Sequence, residues 1–181
     1  MKPVRGASPQ RPGWRGAWRA LLECAFAGAR AAHGRRGTVA HRPRVLVVDD
    51  DPRHLDDASA LLAFWGIAPT LATDGAEAAD LACARPFDLI LMDLQMPGLD
   101  GLAATLQIRR HEQHQRRARV PVLAYTSAAP GPALLRDCGI DGVLDKPCSA
   151  DEMAACLLHW CPADSMQVAA EPARIGQRLT R

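Results

Sequence analysis

Apolar positions along the chain fall into short continuous runs that alternate with stretches of helical period. Val45 to Val48 (VLVV) is four apolar residues, mostly β-branched, as expected of a parallel strand covered on both faces. Pro52 then stands where a helix tolerates proline, in its first turn, and Leu55, Ala58, Leu61, Leu62 and Trp65 follow at helical spacing up to Gly66. A short strand over Ala68 to Ala72 leads through Thr73-Asp74-Gly75 into an alanine-rich helix, Ala76 to Arg85. FDLILM, Phe87 to Met92, predicts a second buried strand that stops at Asp93, and the turn-rich MPGLDG precedes a helix over Leu102 to Glu112 with a polar, arginine-rich end. Val120 to Tyr125 predicts a further strand, Pro132 to Cys138 a short helix, and Val143 and Leu144 a short last strand. A final helix from Ser149 to Trp160 is capped by Ser149, with Asp151 and Glu152 in its first turn. Strands alternating with helices in this way predict a doubly wound α/β sheet.

In such a sheet the ligand crevice lies at the carboxyl ends of the strands, where the strand order reverses. Asp49 and Asp50 end the first strand, Asp93 the third and Thr126 the fourth, and Lys146 follows the fifth. The chemically useful residues thus converge on one edge. Three carboxylates in one pocket repel each other unless a cation joins them. Mg2+, a hard ion that takes oxygen ligands, is held by one or two carboxylates together with phosphate and water. A carboxylate beside such an ion can attack phosphorus to give an acyl phosphate. Simpler readings exist: Asp49 and Asp50 could cap the next helix, and Asp93 could serve the following turn. His54, His111, His114 and His159 fall on helices without a carboxylate at a recognisable spacing, which predicts surface residues.

Four motifs in this order, VLVVDDDP, DLILMDLQMPGLDG, VLAYTS and LDKPCS, resemble the receiver domain of two-component response regulators over about residues 44 to 160. DLQMPGLDGLAAT with IRRHE is most similar to the receivers of hybrid sensor histidine kinases. The resemblance implies a flavodoxin-like sheet of order 2-1-3-4-5 and phosphorylation of Asp93, helped by Thr126 and Lys146. It implies Mg2+ held by Asp50 and Asp93, by Asp49 through water and by the carbonyl of Gln95, with Asp51 a bystander. It also implies a cis bond before Pro147 and, as partner, a histidine kinase or a histidine phosphotransfer protein. The position three before the lysine, often an aromatic switch in this family, is Val143, and the only tyrosine is Tyr125. That departure shifts attention to the AAPGP loop after Thr126 as a hinge.

Charge refines the domain picture. The net charge of +2 over 181 residues conceals a basic arm, 1–44, with ten Lys/Arg against Glu23 alone, and an acidic stretch, 45–161, with nine against seventeen Asp/Glu. The organisation expected is a flexible arm over 1–43, the receiver over 44–161 and a disordered tail over 162–181, with no output domain of its own. Trp14, Trp18, Leu21, Leu22, Ala25, Phe26 and Ala29 recur at helical spacing within 14–30, a pattern that could lie on a membrane surface or dock on a partner. No nucleic-acid reading motif accompanies the basic residues. No apolar run reaches the length of a membrane span and no signal peptide opens the chain, so a soluble, cytoplasmic protein is expected. The six cysteines contain no C-x-x-C pair and are expected as reduced thiols filling space. A rival reading takes Asp49-Asp50-Asp51 as the D-x-D of a haloacid-dehalogenase-type phosphatase with Asp49 as nucleophile, which leaves Asp93 without a role.

Overall fold

The computed structural model describes residues 42–128 and 131–161. The arm up to residue 41, including the helix expected over 14–30, the tail 162–181 and residues 129–130 of the AAPGP loop lie outside the described residues. Five parallel strands, β1 (Val45–Val48), β2 (Thr70–Ala72), β3 (Leu89–Met92), β4 (Val122–Thr126) and β5 (Gly142–Asp145), pair in the order β2-β1-β3-β4-β5. Between them run α1 (Pro52–Phe64), α2 (Gly75–Ala84), α3 (Gly101–Gln115) and α4 (Pro132–Asp137), and α5 (Ala150–Trp160) follows β5. This is the doubly wound, flavodoxin-like sheet. No helix among the described residues is long and apolar enough to cross a membrane.

The continuous apolar strands make sense once their two faces are separated. Val45, Val47, Leu89, Leu91, Leu123, Tyr125 and Leu144 pack with Leu55, Ala58 and Leu62 of α1 and Met153, Cys156 and Leu157 of α5. The alternate residues Leu46, Val48, Ile90, Met92 and Val122 pack with Ala78 and Ala79 of α2 and Ala104 and Ile108 of α3. Side chains alternate across a strand, so a strand with helices on both sides must be apolar at every position. The alanines of α2 let that helix lie close on the sheet.

Four of the five described helices start on a side-chain cap, α4 with Gly131 at its N-cap being the exception. Asp51 accepts from Arg53 N–H (2.9 Å), Asp74 from Glu77 N–H (2.8 Å) and Asp100 from Ala103 N–H (2.7 Å), which satisfies amides that the first helical turn leaves without a partner. Ser149 and Glu152 form a reciprocal capping box at α5. Replacing Ser149 with alanine is expected to lower folding stability by about 1 kcal/mol, read as a lower urea midpoint at unchanged slope.

At the amino-terminal end of the sheet, away from the strand ends that carry the acidic residues, Arg109 of α3 is buried. Its guanidinium donates to Glu112 (2.8 Å), Asp141 (2.8 Å) and the carbonyls of Val120 (2.9 Å) and Gly139 (2.9 Å). Asp141 in turn accepts from Val122 N–H and pairs with Arg119. One side chain thus ties α3 to the start of β4 and to the turn into β5. The arginine-rich end of this helix is therefore partly interior rather than wholly solvated. The described cysteines, Cys83, Cys138, Cys148, Cys156 and Cys161, are all free thiols. Burial pushes Cys148 and Cys161 up to about 12 and raises Cys156 as well, which disfavours the thiolate form.

Candidate functional site

Strand register assembles the site. Val48 of β1 lies opposite Met92 of β3 and opposite Ala72 of β2, so the next residues, Asp49 and Asp93, emerge side by side at the carboxyl edge. Their amides are still held by the sheet, Asp49 N–H on Ala72 O (3.1 Å) and Asp93 N–H on Val48 O (3.0 Å). Thr126, the last residue of β4, is paired with Asp145, and Lys146 N–H donates to Thr126 O (3.0 Å). The Lys146–Pro147 bond is cis. Gly101 closes the loop after Asp93 over the site: a Cβ there would fall 2.0 Å from the Asp93 carbonyl oxygen, which explains the glycine of LDG.

The side chains meet around the Lys146 ammonium. Nζ donates to Asp93 Oδ2 (2.7 Å) and to Asp49 Oδ2, with the lysine side chain 7% exposed and that of Asp49 fully buried. Asp49 Oδ1 also accepts from Asp51 N–H (3.0 Å), and Asp93 Oδ1 from Gln95 N–H (3.1 Å). The ring of Tyr125 lies beneath the ammonium, its centroid 4.9 Å from Nζ, and burial pushes its phenol up to about 12. Thr126 is buried, and its hydroxyl accepts weakly from Ala128 N–H (3.4 Å). The side chains of Asp49, Asp93 and Lys146 are thus brought together, and Thr126 joins Lys146 through its backbone carbonyl. Asp50 is exposed and stands outside the donor atoms that converge. Gln95 is exposed at the rim.

Asp51, which lies outside the converging donors, caps α1 and pairs with Arg53 (2.5 Å), whose hydrogen bonds hold the carboxyl well below the usual carboxylate range. One residue differs from its sequence-based description. His54 is no detached surface residue: its Nδ1 lies 3.1 Å from Asp49 Oδ1 and 3.4 Å from Lys146 Nζ, with the side chain 43% exposed. The cause is local. Helix α1 starts at Pro52, so His54 faces back over the strand end from its first turn. Of the other histidines, His114 and His159 are exposed, whereas His111 is half-buried.

The sequence profile of the response regulator receiver domain matches residues 45–158. The chain belongs to this family. Its curated relatives include the sensor histidine kinase GacS of Pseudomonas protegens, 38% identical over 121 residues, which cover 65% of this chain and 13% of that protein. BarA of Escherichia coli is 34% identical over 122 residues, 67% of this chain and 13% of that one. The chain therefore spans a small part of these kinases. Among solved structures, the receiver domain of sensor histidine kinase PA1611 of Pseudomonas aeruginosa, with magnesium coordinated in its active site cleft, is 33% identical with a TM-score of 0.58, covering 66% of this chain and 97% of that one. The receiver of the Saccharomyces cerevisiae response regulator Ssk1, solved with the phosphotransfer protein Ypd1, is 26% identical with a TM-score of 0.63, covering 68% of this chain and 92% of that one. This receiver domain is thus of the phosphorelay kind. It is not a haloacid-dehalogenase-type phosphatase, and Asp51, the second aspartate of that D-x-D pattern, is engaged in capping a helix.

Proposed function

We propose that Asp93 accepts a phosphoryl group from a phosphohistidine of a histidine kinase or a histidine phosphotransfer protein, with Mg2+ as cofactor. The observation that carries this reading is the convergence of Asp93, Asp49 and Lys146 on one another at the carboxyl edge of the sheet, with Thr126 ending the next strand. An Asp93 oxygen forms the new P–O bond while the P–N bond of the donor breaks, leaving an acyl phosphate and a neutral imidazole. Phosphoryl transfer asks the protein mainly for position and for neutralisation of charge on the phosphoryl oxygens. Lys146 supplies a positive charge for one oxygen, and the Thr126 hydroxyl proton supports another.

The donor set suits Mg2+. The carboxylates of Asp49 and Asp93 are oxygen ligands that already share one positive charge, and Asp50 adds a third carboxylate from the exposed rim. By this reading Asp50, Asp93 and the carbonyl of Gln95 hold the ion, with Asp49 behind a water. Bound there, the ion neutralises negative charge on the phosphoryl group and on the carboxylates. The chain acts as a switch that assists its own phosphorylation rather than as a metabolic enzyme, in the cytoplasm and without specific nucleic-acid binding.

Incubation of the full chain with acetyl phosphate and Mg2+, followed by borohydride trapping and peptide mapping, is expected to place a single label on Asp93. A label on Asp49, or one that persists in Asp93→Asn, would overturn the assignment. Removing residues 1–40 is expected to leave the labelling rate unchanged, because the site's described contacts all come from residue 48 onward. Loss of most of that rate in a folded truncated chain would make the arm part of the switch.

A further inference from the structure

We infer that His54 gives the cation site a nitrogen donor, so that the receiver binds borderline transition ions of the Co2+ and Zn2+ type through Asp49, Asp93 and His54 in addition to Mg2+. The inference rests on the reading of this cleft as a cation site and extends it to the kind of ion.

Three donors of two chemical kinds meet here. One oxygen each of Asp49 and Asp93 and one ring nitrogen of His54 all lie within 4.8 Å of one another. Their common point is already a place of positive charge. Lys146 Nζ is bonded to Asp49 Oδ2, lies 2.7 Å from Asp93 Oδ2 and is 3.4 Å from His54 Nδ1. The ammonium stands in for a cation with two carboxylate ligands and one imidazole ligand.

The ligand types decide which ion gains. Mg2+ is hard and draws little from imidazole, whereas Co2+, Ni2+ and Zn2+ bind imidazole nitrogen well. A nitrogen added to two carboxylates therefore raises affinity for the second group and leaves the first almost unchanged. The histidine also has two states available. With its proton on Nδ1 it donates to Asp49 Oδ1 at 3.1 Å, and with its proton on Nε2 the Nδ1 lone pair faces Lys146. Metal binding selects the second tautomer. Since the half-exposed ring stays at the mouth of the cleft, the change needs no rearrangement of the sheet. Lys146 competes with an ion held directly by Asp49, Asp93 and His54, because that ion takes the point where the ammonium sits, whereas Mg2+ on Asp50, Asp93 and the Gln95 carbonyl leaves the ammonium in place.

Calorimetric titration of the full chain with Co2+ and separately with Mg2+ tests this, in the wild type, in His54→Leu and in Lys146→Met. In His54→Leu the Co2+ affinity is expected to fall about tenfold while that for Mg2+ stays within about twofold. In Lys146→Met the Co2+ affinity is expected to rise, since the competing ammonium is gone. Titration with diamagnetic Zn2+ while following 15N imidazole resonances is expected to shift Nδ1 of His54. Equal losses for Co2+ and Mg2+ in His54→Leu would show that the ring only orients Asp49 and would overturn the inference, as would an unchanged Co2+ affinity or a Zn2+-insensitive His54 resonance. Failure of the wild type to bind Mg2+, with His54-dependent Co2+ binding intact, would overturn the magnesium reading and uphold this one.

Discussion

Asp50→Ala is expected to abolish Mg2+-dependent phosphorylation of Asp93 while the fold persists with equal or greater stability. The two other carboxylates at the strand ends are already satisfied. Asp49 accepts from Asp51 N–H, His54 and Lys146, and Asp93 from Gln95 N–H and Lys146. Asp50 is exposed beside them and stands apart from the cluster that shares the ammonium, so in the absence of a divalent ion it adds mainly repulsion. Removing it relieves that repulsion and takes away a ligand at once. Calorimetry should show Mg2+ affinity lower by about tenfold or more, and intact-mass analysis after acetyl phosphate treatment should show no added phosphoryl group. A urea midpoint at or above that of the parent would confirm that the loss is not unfolding. Unchanged Mg2+ affinity in a folded variant would show that the ion is held by other residues.

The parts of this site legible in the sequence are those that depend on one strand end at a time. An apolar run that stops at an aspartate or a threonine places that residue at the carboxyl edge whatever the neighbouring elements do, and Lys146 comes directly after the aspartate that ends the last strand. Asp49, Asp93, Thr126 and Lys146 are therefore legible from the chain alone. The strand limits differ by one or two residues, as with Leu89–Met92 in place of Phe87–Met92, because Phe87 is only half-buried and pairing begins where both faces are covered. His54 is not legible in the same way. Its contact with Asp49 spans five residues across a strand-to-helix corner, neither the helical spacing of three or four nor the alternation of a strand, and it depends on where Pro52 starts the helix. The signal lies in the proline's position, which puts His54 in the first turn of α1.

Val143 is a departure from the family pattern whose consequence depends on packing. It stands three residues before the lysine and is 41% exposed, whereas the aromatic ring at the site is Tyr125, 2% exposed and beneath the lysine. A buried tyrosine that packs with Leu55 and Met153 in the sheet's core cannot swing between exposed and buried positions without opening that core. The side chain at position 143 is aliphatic and half-exposed, so neither it nor Tyr125 supplies the mobile aromatic that the family pattern places three residues before the lysine.

Arg109→Met is expected to lower folding stability by about 3–5 kcal/mol, well beyond the loss expected from removing the Ser149 cap. The methionine fills much of the same volume, so the loss comes from charge rather than from a cavity. Arg109 is 8% exposed at its side chain and Glu112 10%, and a carboxylate left there without its partner bears the cost of desolvation uncompensated. Asp141 fares better, because Arg119 and Val122 N–H remain bonded to it. The effect should therefore centre on Glu112, which keeps only the Val120 N–H at 2.8 Å. A second substitution tests that asymmetry. Arg109→Met with Glu112→Gln removes the orphaned charge while the amide oxygen still accepts from Val120, and it should recover more than half of the lost stability in urea denaturation. A double variant no more stable than Arg109→Met alone would show that the arginine acts through its bonds to the Val120 and Gly139 carbonyls, as a brace between α3 and the turn into β5, and that the buried charge pair is incidental.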